Sequence, residues 1–83
     1  MKRVAFVTGG SRGIGLGIAQ HLAQNGFNLA INGVRDEQSV EEVLEFLRIL
    51  GAEVIYCQGD IASKEARTQM LDKIKANFEA ISP

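Results

Sequence analysis

Apolar residues along this chain come in short runs that alternate with longer, spaced patterns. Val4-Ala5-Phe6-Val7 is a run ended by Thr8-Gly9-Gly10. A short, unbroken apolar run closed by glycines reads as a strand buried on both faces. From Gly13 the period changes: Ile14, Ile18 and Leu22 recur every four residues, with Ala19 and Ala23 beside them. This spacing predicts a helix with a small-residue shoulder, stopped near Asn25-Gly26 by a left-handed cap. Leu29-Ala30-Ile31 is a second run, ended by Asn32-Gly33. Val40, Val43, Leu44, Leu47 and Leu50 then predict a second amphipathic helix, with Gly51 as its stop. A third strand centres on Val54-Ile55-Tyr56, with Gly59-Asp60 breaking it. Ser63 is an N-cap candidate, although Ala66 stands where a capping box would place an acid. Ala66, Met70, Ile74 and Phe78, flanked by Leu71, mark a third helix.

Strands alternating with helices at this spacing imply βαβ units and a parallel sheet. Right-handed crossovers place the first two helices on one face of a sheet ordered 3-2-1 and the third on the other. The expected fold is α/β, the N-terminal half of a Rossmann fold, with three parallel strands and three helices. Residues 1–83 then form a partial domain that stops before a fourth strand.

Composition narrows the partners. Nine Lys and Arg stand against ten Asp and Glu, for a formal net charge of −1. Such a chain has no general electrostatic reason to bind nucleic acid or an anionic membrane, so any anion must be held by a local site. A single cysteine, Cys57, excludes an internal disulfide and suits a reducing cytosol, so a cytoplasmic location is expected. The N-terminal apolar run is too short for a signal peptide, and none approaches the length of a membrane span. His21 has no cluster of other ligands beside it, and no metal site is expected.

Chemistry concentrates at the first turn. Thr8-Gly9-Gly10-Ser11-Arg12-Gly13-Ile14-Gly15 follows the first strand directly and opens the first helix. Glycine there permits a sharp turn and lets backbone N–H groups come close to a diphosphate. The helix N-terminus adds free donors and a positive dipole end. The alternative is a tight turn that uses glycine only for sterics. Placement between a buried strand and an amphipathic helix, with a second strand following, favours the phosphate role. No Gly-Lys-Ser or Gly-Lys-Thr closes the loop, which excludes a nucleoside-triphosphatase loop.

The spacing Thr-Gly-x-x-x-Gly-x-Gly, met here by Thr8, Gly9, Gly13 and Gly15, resembles that of the classical short-chain dehydrogenases/reductases. Ser11-Arg12-Gly13-Ile14-Gly15 is that family's common wording, and Gly59-Asp60-Ile61 resembles its Asp-hydrophobic pair after strand three. The likeness runs from about Arg3 to about Phe78 and is nearest to 3-oxoacyl-[acyl-carrier-protein] reductase-like members. It implies a nicotinamide dinucleotide held by Gly9, Ser11, Arg12, Gly13, Ile14 and Gly15. It also implies an Asp60 carboxylate accepting from the adenine amino group, with Ile61 against the ring. For Asp60 the alternative is a turn residue that hydrogen-bonds its own backbone.

Cofactor choice turns on the segment after strand two, Asn32-Gly33-Val34-Arg35-Asp36-Glu37. A carboxylate roughly 20 residues past the loop would bind the ribose hydroxyls of NAD, whereas an Arg nearby accommodates the extra phosphate of NADP. Arg35 precedes any acid, and Arg12 projects from the loop toward the same pocket, which favours NADP over NAD. The alternative for Arg35 is a solvated charge paired with Asp36 or Glu37.

In that family a tyrosine acid in Tyr-x-x-x-Lys and a serine perform carbonyl reduction, and this sequence holds neither arrangement. Its lone tyrosine, Tyr56, is followed four residues later by Asp60. The resemblance therefore implies the cofactor-binding part of a reductase of a small ketone or 3-oxoacyl thioester, with no catalytic residue in these 83 positions. The other reading is a module that binds a nucleotide or a partner without catalysis. An unpaired edge on strand one makes a homo-oligomer the expected state.

Overall fold

Strand β2 (Asn28–Gly33) runs between β1 (Val4–Thr8) and β3 (Val54–Gln58), parallel to both. The computed structural model describes residues 3–11 and 13–78. Helices α1 (Gly13–Gln24), α2 (Glu37–Ile49) and α3 (Lys64–Phe78) alternate with the strands, and the sheet order β1-β2-β3 is the expected 3-2-1. In register, Val7 lies beside Ile31 and Ile31 beside Tyr56.

The sheet has a core on each face, which is why β2 reads as a continuous apolar run and not an alternation. On one face Leu29, Ile31 and Tyr56 pack with Ala19, Ala23, Val40, Leu44 and Leu47 of α1 and α2. On the other, Ala30 and Cys57 meet Met70 of α3, with Ile55, Ala66 and Ile74 at the margin. Full burial of each Leu, Ile or Val contributes on the order of 1.5–3 kcal/mol. That places most of the stabilising burial beneath α1 and α2.

Helix ends follow local chemistry. Gly26 and Gly51 adopt positive φ after α1 and α2, as their positions implied. Ser63 caps α3, its Oγ accepting from Ala66 N at 3.2 Å. Asp36 caps α2, with Oδ1 accepting from Ser39 N at 3.0 Å and from the Ser39 hydroxyl.

Helix α1 packs on the sheet by its alanines. Ile14 and Ile18 are 85% and 50% exposed, whereas Ala19 is fully buried and Ala23 nearly so. The reason lies in the first turn of α1. A Cβ at Gly15 would stand 2.1 Å from the Gly9 carbonyl oxygen, so the helix starts in backbone contact with the preceding turn. The closely pinned helix buries Ala19 and Ala23 against the sheet, with Leu16 and Leu22 partly buried at the margin of that contact.

Among the described residues β1 pairs only with β2, leaving its other edge free. Beside that edge, Val4, Phe6, Ile61, Met70, Leu71 and Ile74 line an apolar groove of about 380 Å³.

Candidate functional site: a glycine turn at the carboxyl ends of the strands

The carboxyl ends of all three strands are knit together by backbone and side-chain hydrogen bonds. Gly9 N donates to Asn32 O at 2.8 Å, fixing the β1–α1 turn to the end of β2. Gly59 N donates to Gly33 O at 2.9 Å, joining β3 to β2. Asn32, buried between them, donates from Nδ2 to the carbonyls of Cys57 and Gly59 at 2.9 and 3.0 Å. Burial without partners would cost this amide several kcal/mol on the order of its desolvation, so its bonds hold the three ends in one arrangement.

Within the turn, Gly9 and Gly13 have φ of 63° and 52°, a region costly for residues with a Cβ. Apart from the adjacent residues, no described atom lies within 4 Å of a Cβ built at either position, so the space in front of both is open. Gly15 is required for the opposite reason, the 2.1 Å approach to Gly9 O. Three glycines thus do separate work: two turn the chain beside open space and one admits the helix. The first turn of α1 presents N–H groups that lack intrahelical acceptors, together with the positive end of its dipole. This combination of open space, free donors and positive potential fits a diphosphate.

Arg35 follows β2 and folds back onto that turn, with Nη2 donating to Ser11 Oγ at 3.0 Å. The alternative pairing with Asp36 or Glu37 does not occur. Asp36 is engaged in capping α2, and among the described residues the ion pair is Arg48–Glu45. Asp36 lies below the usual carboxylate range because the Ser39 hydroxyl and amide donate to it. Arg12, the other arginine expected at this pocket, lies outside the described residues.

Two residues that sequence reasoning left without a role support this arrangement. Tyr56 Oη donates to the Arg35 carbonyl at 2.6 Å, and Asn32 ties the strand ends. Burial raises the Tyr56 phenol above its ordinary value, outweighing the opposing effect of Arg35, so it remains a proton donor across the neutral range. A polar-tipped aromatic in an otherwise aliphatic strand was a signal that could have been followed.

Asp60 and Ile61 stand at the end of β3. Asp60 Oδ1 accepts from Ala62 N at 2.9 Å, the local turn bond weighed against an adenine contact. Ile61 is partly exposed at the rim of the apolar groove, with its carbonyl accepting from Arg67 Nη1 at 2.8 Å. The structure therefore brings Ser11 and Arg35 together at the glycine turn, and holds Asp60 and Ile61 at the neighbouring strand end. Cys57 is buried, which pushes its thiol up. His21 is exposed on α1, and among the described residues no cluster could hold a metal ion.

A family model described as short chain dehydrogenase matches residues 3–82. The chain belongs to the short-chain dehydrogenase family. It is 33% identical over 81 residues to the 3-oxoacyl-[acyl-carrier-protein] reductase FabG of Staphylococcus epidermidis, covering 98% of this chain and 33% of that protein. A solved short-chain dehydrogenase/reductase from Sinorhizobium meliloti 1021 superposes with a TM-score of 0.91 at 44% identity, over 95% of this chain and 36% of that one. A 3-oxoacyl-[acyl-carrier protein] reductase from Brucella melitensis in complex with NAD superposes with a TM-score of 0.86 at 39% identity, over 95% and 30% of the two chains. The chain spans about a third of the length of the curated relative. Its three parallel strands and three helices match the N-terminal half of that family's Rossmann fold. Within the described residues, no helix is long and apolar enough to cross a membrane.

Proposed function

We propose that this short-chain dehydrogenase chain binds NADP(H) and serves as the cofactor-binding part of a reductase that converts a carbonyl, in a ketone or 3-oxoacyl thioester, to an alcohol. The observation that carries the cofactor choice is Arg35 Nη2 resting on Ser11 Oγ at the edge of the glycine turn, while the adjacent carboxylate, Asp36, is engaged in capping α2. A guanidinium held there suits a dianionic 2′-phosphate by charge and by the geometry of its donor fork. Arg12 adds a second positive charge in the same loop. Backbone N–H groups from Ser11 to Gly15 hold the diphosphate, Asp60 accepts from the adenine amino group, and Ile61 lies along the ring. When bound, the dinucleotide supplies the hydride for reduction. This chain's residues bind and orient it, and the proton donor and substrate pocket belong to the remaining two-thirds of the parent enzyme. Its whole unit is a cytoplasmic homo-oligomer in this reading.

NAD is the second reading, favoured by the NAD complex of the Brucella melitensis reductase at 39% identity. Calorimetric titration of the chain with NADPH and with NADH separates the two. Tighter binding of NADPH by tenfold or more is expected, since each charge-assisted hydrogen bond contributes roughly 1.5–3 kcal/mol. Equal affinities, or tighter NADH, would overturn the NADP assignment. Absence of binding by either would favour a non-catalytic interaction module.

A further inference from the structure

We infer that Tyr56 is a positioning residue for dinucleotide selectivity, acting through the backbone of Arg35; the inference rests on the NADP reading above. Tyr56 sits on β3, 2% exposed, with its ring beneath Gly33 and its hydroxyl donating to Arg35 O at 2.6 Å. A Cβ at Gly33 would come within 2.7 Å of that hydroxyl, so glycine at 33 is what lets the phenol reach past β2 into the following loop. Arg35 is thereby held at both ends: the carbonyl by Tyr56 and the guanidinium by Ser11 Oγ. Long side chains on surface loops lose rotamer freedom on binding an anion, and fixing the backbone in advance removes part of that cost. The phenol's hydrogen bond goes to the Arg35 carbonyl, and it is Arg35 that reaches the glycine turn, so its effect on a 2′-phosphate runs by way of Arg35.

The test measures NADPH and NADH affinities of the 83-residue chain for Tyr56→Phe, Arg35→Ala and the double variant. Tyr56→Phe keeps the ring and deletes the hydroxyl. It is expected to lower the NADPH:NADH affinity ratio roughly two- to tenfold, the range for one neutral hydrogen bond, with NADH binding preserved. In the Arg35→Ala background the same change is expected to leave the ratio unaltered, because the group it positions is gone. A purely structural role would lower both affinities together in either background. Gly33→Ala displaces the hydroxyl without deleting it and gives a second reading should Tyr56→Phe fail to fold; the same selective loss is expected. If Arg35→Ala lowers the ratio while Tyr56→Phe and Gly33→Ala do not, the positioning role is overturned and the NADP reading stands. If Arg35→Ala leaves the ratio unchanged, both are overturned.

Discussion

Replacing Gly15 with alanine is expected to abolish tight binding of either dinucleotide, because the added methyl cannot be accommodated without moving the phosphate-facing turn. Its Cβ would lie 2.1 Å from Gly9 O, against a floor of 3.0 Å for real contacts, so the two must part by about 0.9 Å. Gly9 is not free to yield, since its N–H is bonded to Asn32 O at 2.8 Å, and Asn32 in turn holds β3. Relief must come from withdrawal of the first turn of α1, which carries the donors offered to the diphosphate. Overpacking of this kind costs about 1–3 kcal/mol of stability. Losing one hydrogen bond to a charged phosphate removes roughly 1.5–3 kcal/mol of binding, a tenfold weakening or more. Gly17 supplies the control: it lies on the same helix with nothing within 4 Å of an added Cβ. Gly17→Ala is expected to stabilise by up to roughly 1 kcal/mol through helix propensity and leave binding intact. Denaturant unfolding and dinucleotide fluorescence titration on both variants provide the measurements. Should Gly15→Ala bind NADPH and NADH as the unmodified chain does, the turn is not the diphosphate site.

Further expectations concern the arginines, the helix caps and the free strand edge. Replacing Arg12 and Arg35 together with alanine should weaken NADPH at least tenfold while sparing NADH, read by calorimetry; equal losses would exclude them as phosphate ligands. Ser63→Ala removes the cap on Ala66 N and should cost about 0.5–2 kcal/mol in urea unfolding. Asp36 is held below its ordinary value of 3.8 by Ser39, so its contribution is present above that pH and lost as pH falls through the lower folded value. The stability deficit of Asp36→Ala should therefore be evident at neutral pH and vanish in acid; a deficit constant with pH would refute this. With one edge of β1 unpaired among the described residues and Phe6 exposed beside it, the chain is expected to self-associate at micromolar concentration. Sedimentation showing a monomer, with slow amide exchange along residues 4–8, would contradict that expectation.

What could be read in advance was what local pattern determines. The glycine turn declared itself through its place between an apolar run and a helical period, and the caps at Gly26, Gly51 and Ser63 follow from residue chemistry alone. Sheet order followed from handedness and spacing. Contacts across the sheet were not legible. Hydrophobicity alone ranks Ile14 and Ile18 above Ala19 and Ala23, yet the alanines are buried and those isoleucines exposed, with Leu16 and Leu22 packed beside the core. Arg35 stood next to two acids in sequence, yet its partner is Ser11, 24 positions away. Tyr56 shows a polar tip on an apolar strand, but that this tip reaches Arg35 depends on β2–β3 register and on the missing side chain at Gly33.

Residue-resolved amide shifts during titration with NADPH would show whether a dinucleotide is held at the glycine turn with its 2′-phosphate toward Arg35. Saturable shifts are expected at Ser11, Ile14, Gly15 and Arg35, with NADH reproducing those at the turn and sparing Arg35. Shifts confined to another surface, such as the Phe46 and Ile49 face of α2, or none at any NADPH concentration, would contradict that placement.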